Sequence, residues 1–221
     1  MDNSVVTLLV LGGVAVFLII KLRSVLGTRD GFEGPPKAVY GEERGKAQRN
    51  MRLVSDRSAD DDSDEYFDKD SDDAAAIRKM RATERSFNMT EFLKGARSAY
   101  EMILIAFENG NLARVKQFLA PEVYESFEEV LKDREMRGLT VEASFVGLKE
   151  LTPVGADFDD QTREGELTIR FVGELTRIVK DRSGSVVEGH ATDIIRQRDV
   201  WTFARTFGSN DPNWQLVATG E

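Results

Sequence analysis

The run from Asn88 to Gly110, NMTEFLKGARSAYEMILIAFENG, decides the fold. Phe92, Leu93, Ala96, Tyr100, Ile103, Leu104 and Phe107 recur at steps of three and four, the period of a helix with one apolar stripe. Asn88 followed three residues later by Glu91 has capping-box spacing, with Asn in place of Ser or Thr, and Gly110 stops the helix. Burying the large side chains of this stripe contributes on the order of 9–18 kcal/mol. The helix therefore needs a broad apolar partner.

Downstream, Asn111 can cap a short helix from Leu112 to Leu119. Pro121 opens another helix at its favoured first-turn position, with Val123, Phe127, Val130 and Leu131 on one face. Arg134 and Arg137 suit its C-terminus, and Gly138 ends it. Beyond Gly138 the period changes to two. Val141, Ala143 and Phe145 alternate with Glu142 and Ser144, and Leu167, Ile169 and Phe171 alternate with Thr168 and Arg170. The second strand continues to Lys180 past Gly173, read as a bulge or bend. Asp181-Arg182-Ser183-Gly184 is a hairpin turn into a long third strand, Val186 to Phe207, bending near Gly189. Asp211-Pro212-Asn213 turns into a last strand, Trp214 to Thr219. Helices followed by four antiparallel strands predict an α+β domain with its helices on one face of a bent sheet in meander order. A strongly bent sheet over a long helix commonly leaves a concave apolar pocket, here expected to be lined by Tyr100, Leu104, Phe145, Ile169, Phe171, Trp201 and Phe203.

Upstream, Ala74 to Phe87 reads as a short basic amphipathic helix. Ile77, Met80 and Phe87 form its thin apolar face, and Arg78, Lys79, Arg81 and Arg85 are candidates for lipid or partner binding. Residues 27–73 show no sustained apolar period and are expected to be a disordered linker. Its second half is acidic: residues 60–73 carry nine acidic side chains and one Lys. Before it, Asn3 to Ile20 holds 18 consecutive residues without a charge. As a helix it spans roughly 27 Å at 1.5 Å per residue, close to the hydrocarbon core. Val5, Leu9, Phe17 and Ile20 belong to its apolar surface, and Lys21 and Arg23 follow it. No Lys or Arg precedes the run and no A-x-A site follows, so residues 1–26 read as an uncleaved anchor rather than a signal peptide. Positive charge after the anchor places the domain in the cytoplasm.

Composition excludes several chemistries. The chain of 221 residues has no Cys and one His, which rules out disulfides, thiol catalysis and Cys- or His-rich metal sites; no cofactor is expected. The net charge of −9 is concentrated in residues 60–73, and nothing supports a nucleic-acid surface. Glu188, His190, Asp193, Arg198 and Asp199 lie near the sheet, but strand and edge charges explain them more simply than catalysis. A buried pair of Asp199 with Arg170 or Arg205 would be structural, and Asp159-Asp160 reads as a turn.

Three stretches in order, FLKGARSAYEMILIAFENGNLARVKQFLAPEVYESFEEVLKDREMRG, DVWTFAR and PNWQLVATGE, resemble the Tim44-like domain family over residues 74–221. Its best-known member anchors the import motor of mitochondria at the inner membrane, and the anchor with its acidic linker resembles the shorter bitopic alphaproteobacterial relatives. The resemblance implies a nuclear-transport-factor-two-like cone with an apolar pocket. It also implies a non-enzymatic adaptor at the bacterial inner membrane, binding anionic lipid and protein clients or a DnaK-type chaperone. The alternatives are a structural subunit of an envelope secretion complex, which would put the domain in the periplasm, and a ligand-binding cone.

Overall fold

The computed structural model describes residues 66–220. The anchor and the linker up to residue 65 lie outside the described residues. Among the described residues no helix is long and apolar enough to cross a membrane.

Helix α1 spans Asp72–Thr83 and helix α2 Met89–Glu108; helix α3 spans Pro121–Met136. Strands β1 (Thr140–Phe158), β2 (Glu164–Lys180), β3 (Val186–Thr206) and β4 (Gln215–Gly220) follow. They form one antiparallel sheet in the order β1-β2-β3-β4, the predicted meander. α1 and α2 pack against β1, and α3 against β4.

The predicted stripe of α2 is buried, with Tyr100 and Ile103 fully so and Leu104 nearly so. Asn88 caps α2 through its side chain, which accepts from the Glu91 amide at 3.0 Å. The α3 C-terminus is closed from the sheet: Arg182 Nη2 donates to the Met136 carbonyl at 2.9 Å.

Several expectations need correction. The expected helix 112–119 is instead two 3₁₀ turns, Leu112–Arg114 and Lys116–Phe118. Leu112 and Val115 are buried three residues apart, the period of a 3₁₀ turn. The chain then tethers to β4, the Ala120 amide donating to the Leu216 carbonyl at 2.9 Å. The helix expected over 74–87 begins at Asp72 and ends at Thr83. Residues 66–73, read above as the end of the linker, have partners in the domain. Tyr66 and Phe67 pack against the core. Ser71 caps α1 by accepting from the Ala74 amide at 3.1 Å. Asp73 Oδ1 accepts from the Ala156 amide of β1 at 2.8 Å.

Strand β1 is far longer than its clean alternation suggested. Its pairing with β2 shifts register between Phe145 and Gly147, Leu148 and Glu150, and Pro153 and Gly155. Each shift is a bulge that breaks the two-residue period. The extra residues sit on β1, and one of the three shifts, between Leu148 and Glu150, falls opposite Gly173 and Val172. A Cβ at Gly173 would lie 2.7 Å from the Tyr100 hydroxyl, so this glycine lets the helix approach the sheet. Gly189 in β3 has φ +78°, a conformation that favours glycine at the predicted bend.

Candidate functional site

The residues expected to line an apolar pocket fill it instead. The Tyr100 ring stacks on Phe171 with centroids 4.4 Å apart and tilts over Trp201 at 4.8 Å. Phe145 meets Tyr100 edge-on at 6.2 Å. Leu104, Ile169 and Phe203 complete the same cluster. Helix α2 comes close enough to exclude a chamber because Gly173 presents no side chain beneath it. Inside this packing the Tyr100 hydroxyl donates to Asp199 Oδ2 at 2.6 Å, and Gln197 Nε2 donates to Oδ1 at 3.1 Å. Burial first, then the Asp199 charge and hydrogen bond, push the Tyr100 hydroxyl above its ordinary range.

Asp199 is thus held by Tyr100 rather than by Arg170 or Arg205. Arg170 sits opposite Val200 and is exposed. Arg205 pairs with Glu84. Glu188 bonds Arg177 at 2.6 Å, while His190, Asp193 and Arg198 are exposed. Among the described residues no group of three or more His, Asp or Glu is placed to hold a metal. Asp159 is a turn residue, its Oδ1 accepting from the Gln161 and Thr162 amides at 2.6 and 2.9 Å.

The basic residues near the N-terminus divide. Arg78, Lys79 and Arg85 are exposed and Arg81 is half-buried. Lys79 meets Asp160 at 2.6 Å, and that hydrogen bond and charge raise its ammonium above the ordinary value. Arg78 donates to the Lys69 carbonyl at 3.0 Å. Ile77 and Met80 are fully buried in the domain core. The apolar face of α1 is therefore spent on the fold, and only its charged face meets solvent.

Two clefts open on the surface. The larger, about 780 Å³, lies between the C-terminal ends of α2 and α3 and the β2–β3 turn, and is walled by charge. Its buried Glu108 lies 3.6 Å from Arg134 and 4.0 Å from Arg177, so the charges there are matched within the fold.

The smaller cleft, about 350 Å³, is aromatic. It lies where the α1–α2 connection and the first turns of α2 face the start of β4. Phe92, Phe118, Phe203 and Trp214 line it, with the exposed Gly95 and half-buried Ala99 of α2. Phe92 packs on Trp214 at 4.6 Å and on Phe203 at 6.1 Å. At one end stands Arg205, its side chain 9 % exposed, with Nη2 donating to Glu84 Oε1 at 3.0 Å. Its guanidinium lies over the rings of Phe207 at 4.4 Å and Trp214 at 5.4 Å. Burial works to raise the Glu84 carboxyl. The Arg205 hydrogen bond, the Gly208 amide and the Arg205 charge nevertheless hold it below its ordinary value.

This cleft has two features that the fold does not require. Gly95 lies in the interior of α2, where glycine costs about 1 kcal/mol relative to alanine. A Cβ there would meet nothing within 4 Å, so packing does not demand the glycine. Arg205 Nε is sealed from solvent and has no acceptor. Of the expected pocket residues only Phe203 borders this cleft. Gly95, Glu84 and Trp214 escaped sequence reading. The one available signal was a glycine inside a strong helical period.

A family model for the Tim44-like domain matches residues 73–221. The chain belongs to the Tim44-like domain family. The intermembrane space region of the chloroplast protein ARC6 is a similar solved structure, at 11 % identity and a TM-score of 0.41. The match covers 61 % of this chain and 96 % of that one. No curated protein matches the chain. Three helices packed against one four-stranded antiparallel sheet fit the α+β fold expected of a Tim44-like domain.

Proposed function

We propose that this protein is a membrane-tethered, non-catalytic adaptor that handles polypeptides on the cytoplasmic side of a bacterial inner membrane. The observation that carries the reading is the aromatic packing around Tyr100 between α2 and the sheet. A catalytic cone needs a chamber beside its titratable groups, and here aromatic rings pack around Tyr100, whose hydroxyl is committed to the half-buried Asp199. What remains accessible is surface: an aromatic cleft and a charged face of α1. Membership of the Tim44-like family supports a role in handling protein at a membrane. Tethering falls to Asn3–Ile20. Anionic lipid would meet Arg78, Lys79 and Arg85 by charge alone, since the apolar side of α1 is committed to the core. A protein client or a DnaK-type chaperone is the partner class that this arrangement serves.

The test is topological and concerns partners at once. Alkaline phosphatase fused after Glu221 should be inactive, and a fluorescent protein fused there should fold and fluoresce. Active phosphatase would place the domain in the periplasm and favour a structural subunit of an envelope complex. Crosslinking in intact cells should trap polypeptides on the domain.

A further inference from the structure

We infer that the open edge of β3 between Ile194 and Asp199 receives an extended polypeptide segment that carries acidic side chains at alternate positions. The inference rests on the adaptor reading above and names where and how its client is held.

β4 pairs with β3 only from Val200 to Ala204. Below Val200, no described strand or isolated bridge lies against β3 on the side away from β2. An uncovered strand presents a row of amide and carbonyl groups, and another extended backbone complements them. The opposite edge of the sheet is closed by the protein itself. There the Asn109 side chain takes both backbone groups of Ala143, at 2.7 and 3.1 Å, and Asp73 takes the Ala156 amide at 2.8 Å. α1 and α2 pack alongside that strand. The open edge is also where apolar side chains stay in solvent. Of the eight large apolar side chains exposed among the described residues, four belong to β3: Val186, Val187, Ile194 and Ile195. The usable stretch is short. Ala191, Thr192 and Asp193 fall between the successive pairs Arg177–His190 and Thr176–Ile194, so the ladder is regular only from Ile194 onward.

Charge selects the occupant. By strand alternation Ile195, Gln197 and Asp199 turn toward the helices, where Asp199 accepts from Tyr100 and Gln197. Ile194, Arg196 and Arg198 turn to the other face. Arg196 meets Glu174 at 3.0 Å, and Arg198 is exposed with no ion pair among the described residues.

A second copy of this chain fits the edge poorly. Residues opposite one another across a ladder share a face, so two identical antiparallel strands on a two-fold axis must set one residue against its own counterpart. Within Ile194–Asp199 the two central registers put Arg196 against Arg196, or Arg196 against Arg198 twice over. Like charges directly opposite are destabilising. Registers centred on Ile194 or Ile195 run into the irregular residues 191–193. A foreign strand escapes both obstacles. With carboxylates opposite Arg196 and Arg198, and β-branched residues opposite Ile194 and Ile195, it meets complementary charge on one face and apolar contact on both.

The experiment uses the full chain in nanodiscs of zwitterionic lipid and the capped peptide acetyl-Thr-Glu-Thr-Glu-Val-Val amide. In antiparallel register its glutamates lie opposite Arg198 and Arg196. Saturable binding should slow amide hydrogen exchange within residues 194–199 and leave exchange in β1 unchanged. Arg198→Glu breaks no ion pair of the described residues. It should weaken binding about fivefold, and the analogue with lysine in place of glutamate should gain on this variant to a similar degree. Only alternate N–H groups of an added strand face the edge. Peptides N-methylated at both glutamates or at both threonines should therefore differ, one losing binding and the other keeping it. Equal behaviour of the two, or undiminished binding to Arg198→Glu, would overturn the inference. Concentration-dependent dimers of the peptide-free chain, with residues 194–199 already protected, would overturn it in favour of a second copy. If the peptide fails to bind while crosslinking in cells traps polypeptides on the domain, the edge inference falls and the adaptor reading stands. No trapped polypeptide would sink the adaptor reading itself.

Discussion

Two glycines show how one residue type can serve opposite ends. At Gly173 a Cβ would lie 2.7 Å from the Tyr100 hydroxyl and 3.0 Å from its ring. The stacked ring and its hydrogen bond to Asp199 would both have to move. Gly173→Ala should therefore destabilise the domain by about 1–3 kcal/mol, the range for overpacking a core. At Gly95 the same change should stabilise it by about 0.5–1 kcal/mol, because the helix gains propensity and meets no neighbour. Urea melts of both variants read the signs directly; equal and small shifts would refute this account of the two positions. Sequence reading flagged Gly173 as a bend, the usual meaning of a strand glycine. Its actual role depends on a tyrosine 73 residues away in the chain, which no local pattern carries.

Among the elements, those with an unbroken period were legible and those with interrupted ones were not. α2, with four turns of uninterrupted stripe, matches its expected span to within a residue or two. β1 was visible only to Phe145 because three bulges reset its alternation before Phe158. The start of α1 was hidden for another reason. Asp72 and Asp73 look like the end of an acidic linker, yet they occupy the first turn of a helix, where negative charge opposes the positive end of the dipole. Asp73 also accepts the Ala156 amide at 2.8 Å and so joins α1 to β1. Asp73→Ala should then cost about 1–3 kcal/mol by leaving that amide without a partner. Faster hydrogen exchange at the Ala156 amide should accompany the loss. Unchanged exchange and an unchanged melt would return residues 72 and 73 to the linker.

At the scale of the molecule, membrane attachment has one strong source and one weak one. Among the described residues the core runs without a break from Ile77 of α1 to Leu216 of β4. Ile77 and Met80 contribute nothing to a bilayer, because both are sealed inside that core. The exposed Arg78 and Arg85 offer about 1 kcal/mol each near an anionic surface. That is short of the roughly 4 kcal/mol of millimolar binding. Attachment by such charges fades as the Debye length falls from about 8 Å at physiological ionic strength to about 3 Å at 1 M. The full chain should therefore stay in the membrane fraction through a 1 M salt wash and leave it only in detergent. Removing residues 2–20 should give a chain that unfolds in a single cooperative transition and is released from membranes by the same salt wash. Retention of the shortened chain after the wash would mean that an apolar surface of the domain enters the bilayer. The aromatic cleft would then be the first place to look.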